Sequence, residues 1–152
     1  MKSRLFIPII ALFLLFVMGA YFIANPSYEK SLRAKYYYET GEYKEAYTLA
    51  KEAFSLDLYN RMAATIMTQS QTSLKYVSYI DDAKKYMKII DEIARKESIL
   101  DADKARMKMI CEIMISAYIK LAPSVVTDDE LVEQAAEYYG KFEKLLEKIN
   151  RS

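Results

Sequence analysis

An uncharged apolar run of twenty residues, 5–24 (LFIPIIALFLLFVMGAYFIA), follows Lys2 and Arg4 at the start of the chain. As an α-helix with a rise of ~1.5 Å per residue, this run would be ~30 Å long, the thickness of a bilayer's hydrocarbon core. Pro8 falls in the first turn, where its missing amide proton costs little. The run therefore predicts a signal-anchor in residues 1–24, with a transmembrane helix over residues 5–24.

A cleaved signal peptide is the alternative interpretation, because Lys2 and Arg4 also suit the basic start of such a peptide. Cleavage after Gly19 would leave an apolar end on the mature chain, and cleavage after Ala24 would place Phe22 where a small residue is needed. We therefore expect an uncleaved, single-pass protein of a bacterial inner membrane. Lys2 and Arg4 favour a cytoplasmic amino terminus, whereas Lys30, Arg33 and Lys35 flank the other side of the run. Because a short head before an apolar run usually behaves as a signal-anchor, we expect the carboxyl-terminal domain in the periplasm.

Composition excludes several classes of active site. The 152 residues include no histidine and a single cysteine, Cys111, which excludes a histidine-based triad, a histidine metal site, a zinc thiolate cluster and an intrachain disulfide. The net charge is +1, and the lysines of residues 84–88 alternate with acidic residues, so the basic stripe of a nucleic-acid binder is missing. We expect no enzyme, no cofactor and no small-molecule substrate.

Acidic residues cluster at three predicted helix starts: Asp81 and Asp82, Asp101 and Asp103, and residues 128–130. Acidic side chains at these positions offset the helix dipole and cap first-turn amides, and the spacing differs from that of a calcium-binding loop. We interpret them as caps and expect no metal site. Cys111 lies in an apolar stretch, which predicts a buried, unreactive thiol.

Only three glycines and three prolines occur in the chain, which favours long helices with short connections. Asn25 and Pro26 suit a helix cap and a first helical position. After them, apolar residues at helical spacing predict six antiparallel helices: 26–39, 43–57, 60–73, 80–96, 101–121 and one that follows a capping box at residues 127–130. Residues 74–79 are predicted to connect the third helix to the fourth. The predicted fold is therefore all-α, with a transmembrane helix ahead of a helical domain, 25–152.

A similar phrase recurs in the second, fourth and sixth predicted helices: a bulky residue, a small residue three positions on, and an apolar residue seven further. The three copies begin at Tyr43, Ile80 and Val132. Around the first copy the sequence contains Ala34-x-x-Tyr37, Gly41-x-Tyr43-x-x-Ala46, Ala53 and Leu56-Asp57, and over residues 27–60 it resembles a tetratricopeptide repeat (TPR). The resemblance implies a domain of stacked TPR-like helical hairpins.

The TPR resemblance also implies a binding surface. In that family, the first helices of successive repeats line a concave groove that binds an extended or helical segment of a partner protein. At the matching positions the resemblance implies a groove formed by Tyr28, Lys35, Tyr38, Glu39, Met62, Gln69 and Thr72. These residues do not include the paired basic clamp that grips a partner's terminal carboxylate, so we do not expect docking of that kind.

These features predict a membrane-anchored protein–protein interaction module. It would act as a scaffold or assembly chaperone for a larger envelope complex, for example a motility or secretion machine. Two alternatives stay open: a small integral structural subunit whose anchor helix makes the main contacts, and a cleaved, soluble periplasmic TPR-like protein. The expected partners are proteins of a membrane-associated complex and, through residues 5–24, the membrane itself.

Overall fold

A computed structural model describes the backbone of residues 3–151, and the side chains of residues 7–21 and 24–151. Within this part of the chain the structure is all-helical and contains no strand, which confirms the predicted fold class. Six helices follow one another: α1 Ser3–Ala24, α2 Pro26–Glu39, α3 Tyr43–Leu56, α4 Arg61–Ala94, α5 Asp101–Ile119 and α6 Asp129–Arg151. The chain divides into two compact units, unit 1 (Met1–Ser70) and unit 2 (Gln71–Ser152), and the boundary between them falls inside α4.

The predicted transmembrane segment corresponds to α1. Among the residues with described side chains, no single helix has both the length and the apolar character to cross a membrane. One bent pair of segments, Ile7–Tyr21 and Pro26–Glu39 at 80° to each other, reaches that threshold by length and composition alone. Lys2 and the side chains of Arg4 and Phe22, used in the prediction of topology and cleavage, lie outside the described residues.

The helical hairpin of α2 and α3 turns at Gly41, as predicted. Its backbone adopts φ 82°, a left-handed conformation that glycine reaches without the steric cost of a side chain. The amides of Thr40, Gly41 and Glu42 donate to the last carbonyls of α2, at 2.8–3.2 Å. These bonds satisfy the end of α2 and reverse the chain into α3.

Small side chains hold unit 1 together. Ala34 of α2, Ala46 and Ala50 of α3 and Ile66 of α4 form a buried cluster, which we call the alanine cluster. The absence of bulky side chains at three of these positions lets the helix backbones approach closely. Ala46 is 0% exposed and lies where α2 and α3 pack against each other.

A buried polar network adds to the alanine cluster. The Asn60 side chain, which is only 1% exposed, donates from Nδ2 to Ser27 Oγ at 2.9 Å and to Ser31 Oγ at 3.1 Å. Its Oδ1 accepts from the amide of Ala63 at 3.1 Å and so caps the start of α4. Ser27 Oγ donates to the Ala53 carbonyl at 2.8 Å, so the network joins the starts of α2 and α4 to the end of α3.

The predicted break at residues 74–79 is wrong, because α4 continues through it from Arg61 to Ala94. Neither glycine nor proline occurs between these two residues, so nothing in the backbone ends the helix. Buried side chains recur along α4 at helical spacing: Ala63, Ile66, Ser70, Ser73, Tyr76, Ile80 and Ala83. Ser70 and Ser73 interrupt the apolar pattern of this stripe, so the sequence predicts two helices where the structure has one.

Unit 2 has its own core, built from the second part of α4 together with α5 and α6. The fully buried members are Tyr76, Tyr79, Ile80, Ala83, Ile90, Ile93, Met107, Ile110, Cys111, Met114, Ala135 and Phe142. Ala83, the small residue of the copy that begins at Ile80, and the predicted buried thiol of Cys111 are both among them. The apolar stripes read from the sequence of α5 and α6 therefore face this core.

The predicted capping box at residues 127–130 is also wrong. Thr127 Oγ1 accepts from the Ser124 amide at 2.9 Å and so closes the turn before the helix. Asp128 Oδ1 accepts from the Glu130 amide at 2.9 Å, one residue later than predicted. The Glu130 carboxylate accepts from Gln134 instead of reaching back. The cap therefore moves to Asp128 because the Thr127 hydroxyl is used in the preceding turn.

Candidate functional site

Between Ile7 and Tyr21, where its side chains are described, the surface of α1 is apolar on all sides. Its large apolar side chains from Ile7 to Tyr21 are 47–75% exposed, so the rest of the chain does not cover them. They are Ile7, Ile9, Ile10, Leu12, Phe13, Leu14, Leu15, Phe16, Val17, Met18 and Tyr21. A helix with apolar side chains around its whole circumference is typical of an apolar environment, and an exposed patch of this size indicates an interaction surface.

The face of α2 opposite its buried side is a second exposed surface. We call it the outer face of α2, and it consists of Glu29, Leu32, Arg33 and Tyr36. Leu32 is 52% exposed and Tyr36 is 63% exposed, whereas Arg33 pairs with Glu29 at 3.6 Å. Two large apolar groups and one ion pair therefore share this face.

The structure places six of the seven predicted groove residues in unit 1 and Thr72 in unit 2. Tyr38 and Met62 are half-buried and pack against the alanine cluster, and the ring of Tyr38 meets that of Tyr43 edge-on at 5.5 Å between centroids. These two side chains therefore support the core of unit 1 as well as facing its surface. Their half-buried position makes them poor choices for testing binding alone.

The remaining groove residues are more polar. Lys35 and Glu39 are exposed and form an ion pair at 3.6 Å, one turn apart on α2. Tyr28, Gln69 and Thr72 are half-buried. On α4, Met62, Gln69 and Thr72 are separated by seven and three residues, which places them on one side of a helix. The groove as a whole stays a prediction.

Unit 2 contains a row of tyrosines that the sequence did not predict as a unit. The rings of Tyr79 and Tyr118 lie 5.7 Å apart, and those of Tyr118 and Tyr139 stack at 4.4 Å. The Tyr139 hydroxyl donates to Glu143 at 2.5 Å, which raises the pKa of that tyrosine. Burial, with a smaller contribution from Tyr118, raises the pKa of Tyr79 to about 12. The three rings serve packing in unit 2.

Unit 2 also exposes two surfaces of different character. The outward side of α5 is apolar at Met109 and Ile113, and the charged residues Glu112 and Lys120 line the same surface. A shallow depression beside Tyr138 is lined by charges of both signs, Lys84, Lys88, Asp91, Glu92 and Arg95. Opposite charges at such spacing largely neutralise one another, which gives this depression no strong preference for an anion or a cation.

The acidic side chains and the thiol of Cys111 bear on metal binding and nucleophilic chemistry. Among the described residues, no group of three or more Cys, Asp or Glu side chains is placed to hold a metal ion. Burial raises the pKa of the Cys111 thiol to about 11, so this group stays protonated at neutral pH. A protonated, buried thiol is a weak nucleophile.

Comparison of the chain with protein-family models, with curated proteins and with solved structures finds no match. The TPR resemblance therefore stays an expectation, and function is inferred from the chain's own residues.

Proposed function

We propose that the chain is a membrane-anchored protein–protein interaction module, acting as a scaffold or assembly chaperone for a larger envelope complex such as a motility or secretion machine. The observation that carries the proposal is the combination of α1, whose described apolar side chains are exposed, with a folded helical hairpin that follows after one intervening residue. Helix α1 requires an apolar environment, whereas the hairpin of α2 and α3 provides a surface outside that environment to which a protein can bind.

The exposure of α1 and the length of its backbone helix support an anchor, although no single helix has both the length and the apolar character to span a membrane within the residues whose side chains are described. Its 22 residues make a helix of ~33 Å at 1.5 Å per residue, close to the thickness of a bilayer core. Covering one large apolar side chain contributes ~2 kcal/mol, so the whole surface of α1 is worth on the order of 20 kcal/mol. A helix exposed to water over this area would aggregate or insert.

The hairpin geometry supports the interaction module. Helices α2 and α3 each have 14 residues, and α4 starts 35 residues after α2, close to the 34-residue period of TPR proteins. We place partner contact on Lys35, Glu39 and Gln69 of the predicted groove, because Tyr38 and Met62 already pack against the alanine cluster. The expected partner is a protein segment with both polar and apolar side chains.

The integral-subunit function is the second candidate, and one observation favours it. Gly19 and Ala20 give α1 a small patch, and no other atom occupies the space beside Gly19. Small residues allow two membrane helices to approach closely. In that case α1 would bind a partner helix, and the groove would be dispensable.

Membrane extraction tests the anchor. Carbonate washing of membranes should leave the full-length chain in the pellet, at the mass expected for an uncleaved protein. A matched chain of residues 25–152 should be released by the same wash. A mature amino terminus near residue 20 or 25 would show instead that the segment is a cleaved signal peptide.

An anchor exchange separates the adaptor from the integral subunit. Residues 1–24 are replaced by an unrelated transmembrane helix of equal length, and partners are purified from detergent-solubilised membranes and compared with those of the unaltered chain. The adaptor should keep its partners in this exchange and lose them in a Lys35→Ala/Gln69→Ala variant. A Lys44→Ala/Lys51→Ala variant on the exposed face of α3 is the matched control. If partners are lost on anchor exchange but kept by the Lys35→Ala/Gln69→Ala variant, the result favours the integral subunit.

A further inference from the structure

The corner between α1 and α2 consists of one residue, Asn25. Its amide donates to the Tyr21 carbonyl at 3.1 Å, which is the last bond of α1, and its carbonyl accepts from the Glu29 amide at 3.1 Å, which opens α2. Its side chain accepts from the Ser27 amide at 3.0 Å. Pro26 fixes the first backbone angle of α2. The two helices therefore meet at a defined corner, with 80° between Ile7–Tyr21 and Pro26–Glu39.

This corner determines how α2 runs if α1 is a membrane anchor, so the inference rests on the proposed function. A membrane helix lies within a few tens of degrees of the bilayer normal. At 80° to α1, the axis of α2 then runs close to the plane of the membrane. Because only Asn25 separates the end of α1 from the start of α2, all ~21 Å of α2 lies within about one helix diameter of the lipid headgroups.

The packing of unit 1 decides which side of α2 can face the lipid. The side with Ser27, Ser31 and Ala34 is covered by α3 and the start of α4. This side cannot turn toward the bilayer without carrying the charged residues of those two helices into it. The opposite side is the outer face of α2, which exposes Leu32 and Tyr36. Tyrosine is enriched at the membrane–water interface, and arginine places its apolar stem there with its charge in the headgroups.

We propose that the outer face of α2 binds the phospholipid headgroup layer of the bilayer that holds α1. Leu32 and Tyr36 enter the boundary between headgroups and acyl chains, and Arg33 lies among the phosphates. The contact is intramolecularly tethered, so two apolar side chains suffice where an untethered helix would need many more. Unit 1 then lies on the membrane surface in a fixed orientation instead of swinging on a flexible linker.

Fluorescence quenching in vesicles tests this contact with the full-length chain. Single cysteines replace Leu14 in α1, Leu32 or Tyr36 on the outer face of α2, and Thr48 on the exposed side of α3, all in a Cys111→Ala background. Each variant carries an environment-sensitive fluorophore and is reconstituted into vesicles of phosphatidylcholine and phosphatidylglycerol. The vesicles contain no quencher, lipid with a spin-label quencher near the headgroup, or lipid with the quencher near the end of the acyl chain. Circular dichroism confirms that each labelled chain keeps its helicity.

Labels at residues 32 and 36 should shift to the blue and lose most of their fluorescence to the headgroup quencher. The label at residue 14, ~15 Å from the end of α1, should lose its fluorescence to the acyl-chain quencher, and the label at residue 48 should keep its emission with both. Residue 36 is the decisive position, because it lies ~15 Å along α2 from the corner and would leave the lipid if α2 were lifted. Quenching at 14 without quenching at 36, or equal quenching at 36 and 48, overturns the surface contact and leaves the anchor standing. No quenching at 14 overturns the anchor, and the surface contact with it.

Discussion

Asn60 shows how one side chain can join three helices. Its amide donors bond Ser27 and Ser31 of α2, its oxygen caps α4, and through Ser27 the network reaches the Ala53 carbonyl of α3. Buried polar groups of this kind stabilise a fold only when every donor and acceptor is satisfied. The network therefore fixes the arrangement of α2, α3 and the start of α4 more narrowly than the small alanine contacts could.

Substitution Asn60→Ala should lower the free energy of unfolding by about 2–4 kcal/mol, because it removes a helix cap and leaves buried hydroxyls with fewer partners. Urea denaturation of residues 25–152, followed by circular dichroism, measures the loss. Asn150→Ala, at an exposed position near the end of α6, is the control and should change stability by less than about 0.5 kcal/mol. An equally small effect at Asn60 would contradict the network.

Cys111 gives unit 2 a pH dependence at alkaline pH. Its side chain is 0% exposed, and burial raises the thiol pKa from 9.0 to about 11. Because the folded-state pKa is the higher one, the unfolded chain releases this proton first as the pH rises. The thiol therefore does not change the stability below pH 9 and lowers it as the pH rises from about 9 to about 11.

We expect the free energy of unfolding to fall between pH 9 and pH 10 more steeply in the unaltered chain than in Cys111→Ala. The difference should be on the order of 1 kcal/mol, since one pKa unit corresponds to about 1.4 kcal/mol. Urea denaturation at a series of pH values gives the two slopes. Tyr79, with a pKa of about 12, lowers the stability of both chains above pH 10, so it does not enter the comparison. Parallel slopes would show that Cys111 titrates normally.

For single residues, the sequence predicts the burial of apolar side chains well and the burial of polar side chains poorly. Ala46, Ala83 and Cys111 lie in apolar stripes, and their burial follows from helical spacing alone. The cap function of Asn60 is also predictable, because its partner Ala63 is three residues away. Its bonds to Ser27 and Ser31 cross about thirty residues of sequence, and no local pattern indicates them.

The length of α4 is the largest difference between prediction and structure at the scale of helices. Ser70 and Ser73 occupy core positions and are fully buried, yet both are polar residues that commonly occur in loops. Within the described residues neither hydroxyl has a hydrogen-bond partner. Packing outweighs the preference of serine for loops here. A prediction based only on the spacing of apolar residues therefore divides the helix in two.

Proline substitution tests the continuity of α4. Lys75 is exposed and lies in the stretch that was predicted as a connection, so its side chain contributes little to packing. Lys75→Pro should cost about 3 kcal/mol or more, because proline removes one helix hydrogen bond and clashes with the preceding turn. Lys75→Ala should be nearly neutral. A tolerated proline, measured by urea denaturation against the alanine variant, would restore the predicted connection.

Across the whole molecule, fold class follows from the sequence and the partner does not. The scarcity of glycine and proline and the helical spacing of apolar residues suffice for an all-α prediction. The groove depends on which turns of α2 and α4 face each other, and its residues Tyr38 and Met62 also pack against the alanine cluster. Recognition by such a surface is set by the partner's side chains, which the chain's own sequence does not contain.

Unit 2 should fold without unit 1. All members of its core, from Tyr76 to Phe142, belong to α4, α5 and α6 after residue 71. A chain of residues 71–152 should therefore be helical and unfold in one cooperative thermal transition. Substitution of the fully buried Phe142 by alanine in that chain should lower the free energy of unfolding by about 3–5 kcal/mol. Circular dichroism of the two chains measures both effects, and a featureless, non-cooperative melt would show that unit 2 depends on residues 1–70.

The passage of α4 through the boundary between the two units has a consequence for how the protein can change during evolution. Insertions and deletions accumulate in loops, where added residues do not disturb helix hydrogen bonds or packing. At Ser70 and Gln71 the chain is helical, so one added residue would rotate every following side chain of α4 by about 100°. Descendants of this gene should vary in length at the turns, near Gly41, residues 57–60, residues 95–100 and residues 120–128, and keep α4 at constant length.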